Sequence, residues 1–190
     1  MNTEILDKKI IIIDSSKCNL TNSTYNYHFN LMDPIKNVLY IKLIESTVVI
    51  NNLYDGAGTS INNQDTVNIN LNNYGRITTN ITNNENTDYL TRYFDTITID
   101  KSKYLQEYIL SKANAGVAPA TINYAFSNNY ANDADINSPS MYVLNPVEPS
   151  LIKFNLAAYD KNNTLLTTTN INKIVIKICV YYNRKKITMN

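Results

Sequence analysis

Every nucleophile system built on histidine would have to use His28, because this chain of 190 residues contains only that one. His28 stands between Asn26 and Asn30, in a segment whose apolar residues occupy the alternate positions, so a solvated strand face is its expected place. Zinc draws three or four ligands mainly from Cys and His, and His28, Cys18 and Cys179 are the whole supply, with no Cys-x-x-Cys pair. Two cysteines so far apart in sequence make no disulfide framework and read as reduced, structural thiols.

The best calcium candidate is Asn132-Asp133-Ala134-Asp135-Ile136-Asn137. It lacks the glycine of the turn and has Leu144 where a bidentate glutamate would close the loop, so an Asn/Asp-rich turn is the better reading. Gly56 and Gly58 neither precede a helix nor are followed by lysine, which describes a loop tip rather than a phosphate cradle. Glycoside hydrolysis needs two carboxylates about 5 to 9 Å apart. Glu45, Asp95 and Asp100 lie on or near strands, and their arrangement is a question for the structure. The absence of Trp weakens a sugar-platform reading, although the Tyr side chains can stack. Arg184, Lys185 and Lys186 form a candidate interaction tail able to touch phosphate or an acidic partner, with a solvated tail as the simpler reading. No catalytic, cofactor-binding or metal-binding residue is assigned, no cofactor is implied, and the chain is expected not to be an enzyme.

Composition narrows the partners. With 17 basic and 16 acidic residues the net charge is +1, so no global field draws the chain to nucleic acid or anionic lipid, and no specific nucleic-acid partner is expected. Its polarity is largely uncharged: only 17% of residues are charged, while Asn supplies about a sixth of the chain. The segment Met1 to Lys9 lacks the basic-then-apolar plan of a secretory signal, and no apolar run approaches the ~20 residues of a membrane span. Sequons at Asn19, Asn22, Asn80 and Asn162 carry no weight in a chain this rich in Asn, Ser and Thr.

The elements that must position any site are strands. Tyr25, Tyr27, Phe29 and Leu31 alternate with polar residues, as do Val67, Ile69 and Leu71. The same period places Ile97 with Ile99, the set Ile152, Phe154, Leu156 and Ala158 on one face, and Ile174, Ile176, Ile178, Val180 and Tyr182 on another. Ile10 to Ile13 and Val38 to Ile50 are apolar on both sides and are expected centrally in a sheet, the longer with a bend or bulge near Glu45 and Ser46. One segment, 102–113, has helical spacing, with Asp100 or Ser102 to cap it. The expected architecture is a single all-β domain over 1–190: an antiparallel jelly-roll sandwich of about eight to ten strands. It includes one short helix near 102–113, a long loop insertion at about 114–139 containing one strand, and a basic C-terminal tail at 183–190.

Three blocks, in order, resemble the jelly-roll penton and minor capsid proteins of large double-stranded DNA viruses and virophages. They are Ile11 to Ser16 with the strand Tyr25 to Leu31 and Ile35 to Leu43; then Ile97 to Leu105; then Val143 to Pro146 with Leu151 to Leu156, a hairpin at Asp160 to Asn163 and Ile174 to Tyr182. The hairpin has no glycine, and Lys17 stands where an arginine is usual in that family. The resemblance implies a virion structural protein, assembled in the host cell, that forms a homopentamer at vertices or a cement beside the major capsid protein. Two alternatives come from other classes: a carbohydrate- or receptor-binding β-sandwich contacting a host receptor or glycan, and a jelly-roll polysaccharide hydrolase or lyase.

Overall fold

The computed structural model describes residues 5–17, 25–51, 64–72, 74, 76–80, 89–102, 104, 123–132, 140–168 and 171–184. Strand β1 (Ile5–Asp14) leads through a short 3-10 turn (Ser15–Lys17) to β2 (Asn26–Asn51), followed by β3 (Thr66–Leu71), β4 (Arg76–Asn80), β5 (Tyr89–Tyr93) and β6 (Asp95–Thr98). Then come β7 (Asn123–Asn129), β8 (Met141–Tyr159) and β9 (Lys173–Arg184). Every pairing is antiparallel. Strands follow the path β1-β9-β2-β8-β3-β6, β7 joins β2, and β4 and β5 form a separate hairpin.

Strand β2 is too long to keep one set of neighbours. Its first half, up to Lys36, pairs with β8; its second half pairs with β9 on one side and with β8 and then β7 on the other. The change falls at Asn37, whose φ of 54° is left-handed, a conformation that Asn tolerates better than most residues. Register shifts flank it between Asn30 and Ile35 and between Val38 and Tyr40. A further shift toward β9, between Leu43 and Glu45, sits where polar residues interrupt the apolar run, as the sequence predicts.

Alternation fills the interior. Tyr25, Tyr27, Val67, Ile69, Leu71, Ile97, Phe154, Leu156, Ile174, Ile176, Ile178 and Val180 are all buried in one hydrophobic cluster. Each such side chain is worth about 1.5–3 kcal/mol over its exposed state. The sheet curls until its last strand, β6, reaches back to β2 and β7. Asp95 of β6 accepts hydrogen bonds from Ser46 of β2 and from Asn128 and Tyr130 at the end of β7. Behind that contact, Phe94 stacks on Tyr142 at 4.4 Å between ring centroids.

Three expectations need correction or adjustment. Strand β1 is not central: among the described residues it pairs only with β9, and Ile10 and Ile12 are 58% and 64% exposed. The Ile10 to Ile13 run is apolar on both sides, but only Ile11 and Ile13 face the core. Ile152 is likewise exposed rather than sharing the face of Phe154, because Leu151 takes the buried position and the alternation skips a residue at Ile152 and Lys153. Third, β9 runs two residues past Tyr182, so Asn183 and Arg184 are strand, paired with Leu6 and Ile5.

The predicted helix lies outside the described residues except at its start. There Asp100 accepts the Ser102 N–H at 3.2 Å, the cap the sequence suggests, and Tyr104 packs edge-on against Tyr124 and Phe126. The strand expected within 114–139 is β7; most of that insertion, the loop tip at 55–59, and 185–190 also lie outside the described residues.

Candidate interaction surface

The residues considered for chemistry are dispersed. His28 is exposed, and its Nδ1 is 2.6 Å from Oδ1 of Asn155, an amide that orients an imidazole but takes no proton from it. Cys179 is buried and free, on β9, and Cys18 lies outside the described residues. Asp95 is held by the donors of Ser46, Asn128 and Tyr130, and Asp100 by Ser102. Glu45 sits on β2 opposite Lys177 and Asn129. Among the described residues no three His, Cys, Asp or Glu side chains gather as metal ligands, and no helix is long and apolar enough to cross a membrane. Of the candidate tail, Arg184 ends β9, and Lys185 and Lys186 lie outside the described residues.

What the fold does assemble is a row of exposed apolar side chains on β1, beside a mixed outer face of β9 and β2. Residues paired across an antiparallel ladder point to the same side. Leu6, Lys8, Ile10 and Ile12 of β1 therefore share the outer face with Asn183, Tyr181, Cys179 and Lys177 of β9. The next column is Tyr40 and Lys42 of β2, opposite Tyr181 and Cys179. Leu6, Ile10 and Ile12 are each more than half exposed. The Tyr40 and Tyr181 rings stack at 4.4 Å with planes 22° apart, so the aromatic pair continues the apolar ridge inward from the edge. Burial beside this pair, together with the Cys179 thiol and Tyr40, pushes the Tyr181 phenol above its ordinary range.

The ends of β1 are built differently from its middle. At the start, Asp7, Lys8 and Lys9 place charge along an open edge, which discourages indiscriminate strand pairing. At the other end, Asp14 accepts the Ser16 N–H at 3.0 Å and its hydroxyl at 2.7 Å, and meets Lys173 at 3.1 Å. Partial burial raises the Asp14 carboxyl, but the Ser16 hydrogen bonds and the Lys173 ammonium outweigh it and hold the group below the usual carboxylate range. Ser15, fully enclosed, accepts the Ile174 N–H at 2.9 Å and shares a 2.9 Å hydrogen bond with Tyr25 OH, which fixes the turn to β9 and β2. The apolar ridge is thus carried on a strand anchored at its far end.

Sequence reasoning missed this surface. The signal was present as four consecutive isoleucines, twice what one buried strand face can use, but the edge position of β1 depends on a partner 160 or more residues away. No family model and no curated protein matches this chain.

Proposed function

We propose that the fold is a single jelly roll and that the chain is a virion structural protein: a penton or minor capsid subunit that self-assembles into an icosahedral shell. The observation that carries the reading is strand order. Divided near Asn37, the second half of β2 stands in the run β1-β9-β2-β7 and the first half in the run β2-β8-β3-β6, with Val38 to Lys42 also paired to β8 where the two runs join. Two antiparallel four-stranded runs, between which the chain passes back and forth, support a double-sheet jelly roll of eight strands. The three sequence blocks that resemble capsid jelly rolls fall on β1 to β2, on β6 and the turn after it, and on β8 to β9. The exposed ridge of Leu6, Ile10 and Ile12 supports a shell role as well, because a neighbouring subunit would cover apolar surface that a monomer leaves in water. The partners in this reading are further copies of the chain, arranged as a homopentamer, and the major capsid protein.

Mass photometry and negative-stain microscopy of the purified protein test it. A discrete ring-shaped oligomer is expected, fivefold for a vertex role. A protein that is strictly monomeric, and also absent from virus particles, overturns the proposal.

A further inference from the structure

We infer that the outward face of β8 and the first half of β2 carries a saccharide site, centred on a cleft beside Asn72 and Lys153 and suited to an acidic sugar unit. This does not depend on the capsid reading. Alternation turns Asn26, His28 and Asn30 of β2 outward, opposite Ala157, Asn155 and Lys153 of β8. The result is a largely polar strip of sheet on which Asn26, Asn30 and Asn155 carry amides, each able to donate and accept.

At the margin of this face the ladder is continued by a side chain. Asn72, just past β3, has a φ of 51° and donates its N–H to Asn155 O at 3.0 Å. Its Nδ2 donates to Lys153 O at 2.9 Å, and its Oδ1 accepts the Asn155 N–H at 2.6 Å. Asn72 Nδ2 also lies 3.4 Å from Tyr74 OH. Three hydrogen bonds to β8 hold the cleft wall in one place before any ligand arrives, which limits the ordering cost of binding.

The cleft, about 360 Å³, is lined by Asn72, Tyr74, Ser150, Ile152, Lys153 and Asn155 together with Leu151. That volume is at the lower end of the ~300–1,000 Å³ typical of small-ligand pockets. Its lining sorts by chemistry. Tyr74 and the half-exposed Ile152 offer an apolar surface to the C–H face of a pyranose. The Asn155 Oδ1 is taken by His28, which leaves the Asn155 Nδ2 as a donor, and Ser150 adds a hydroxyl. Lys153 is exposed and, among the described residues of the lining, is the one cation, with no carboxylate beside it. One ammonium fits one carboxylate or sulfate; it is too little charge for a polyphosphate or a nucleic-acid backbone.

Saturation-transfer NMR on the full chain, with N-acetylneuraminic acid, glucuronic acid and glucose each at about 10 mM, reads this site into the millimolar range of affinity. Transfer from the protein to the acidic sugars is expected to exceed that to glucose. Lys153→Ala should cut the acidic signal several-fold, whereas Ile12→Ala, on the β1 face, should leave it unchanged. Both side chains are exposed, so circular dichroism should show both variants folded. No transfer to any of the three sugars, equal transfer to glucose, or a signal indifferent to Lys153→Ala overturns the inference.

Discussion

Ser46 on β2 and Asp95 on β6 are 49 residues apart in sequence, yet the Ser46 hydroxyl donates directly to the Asp95 carboxylate where the curled sheet meets itself. Ser46 has no exposed surface, so its hydroxyl depends on that acceptor. Replacing it removes one of three donors from Asp95 and leaves those of Asn128 and Tyr130. Ser46→Ala is therefore expected to cost about 1–3 kcal/mol, measured by denaturant unfolding. Asp95→Ala, which removes the acceptor shared by Ser46, Asn128 and Tyr130, should cost more than Ser46→Ala; equal costs would show that the carboxylate is not the centre of the closure.

Acid should weaken the turn after β1 through Asp14. Its folded carboxyl is held below the ordinary value of 3.8 by Ser16 and Lys173. A lowered folded pKa means stability that is fully present above the unfolded value and is lost as pH falls through the folded one. Asp14→Asn should thus be less stable than the parent at pH 7, with the difference shrinking below about pH 4. Thermal melts at pH 7 and pH 3 read the effect, and a difference independent of pH would remove the electrostatic account.

The core was largely legible in the sequence because burial on a half-exposed strand imposes a period of two. Spacing alone places Val67, Ile69, Leu71, Ile174, Ile176 and Ile178 on shared faces, and all are buried. The two failures share a cause. Ile10, Ile12 and Ile152 are apolar residues whose exposure is set by non-local events: the edge position of β1, and the slip that makes Leu151 rather than Ile152 the buried partner of Ile35. Asn37 illustrates the same limit. An Asn at positive φ redirects β2 to new neighbours, but among this many Asn residues nothing local marks that one as the pivot. The outer polar strip is legible as polar alternation at Asn26, His28 and Asn30; its match with Lys153 and Asn155 needs the register.

The slip at β8 gives a sharp pair of core predictions. Phe154 has no exposed surface and pairs with Phe29, whereas Ile152, two residues earlier, is 53% exposed. Phe154→Ala should cost about 3–5 kcal/mol, through lost transfer energy and the cavity left behind. Ile152→Ala should stay within about 0.5 kcal/mol. Urea unfolding of both variants checks the register, since a large loss at Ile152 would mean that it, and not Leu151, points inward.

If the chain assembles as proposed, the ridge on β1 separates folding from assembly. Ile10 and Ile12 contribute little to the monomer's core, because more than half of each side chain is in water. Exchanging both for lysine leaves the inward residues Ile11 and Ile13 in place and adds charge to an already open edge. The double variant is expected to keep its strand content and to lose about 1 kcal/mol or less of monomer stability, in line with surface substitutions. In the proposed shell role, the double variant should be dissociated at concentrations where the parent is assembled, as read by sedimentation velocity. Ile13→Lys is the contrasting change: Ile13 is only 2% exposed, so a lysine there should unfold the protein rather than dissociate it. If Ile10→Lys with Ile12→Lys leaves the oligomer intact, the contact between subunits lies elsewhere on the surface and the apolar ridge serves another partner.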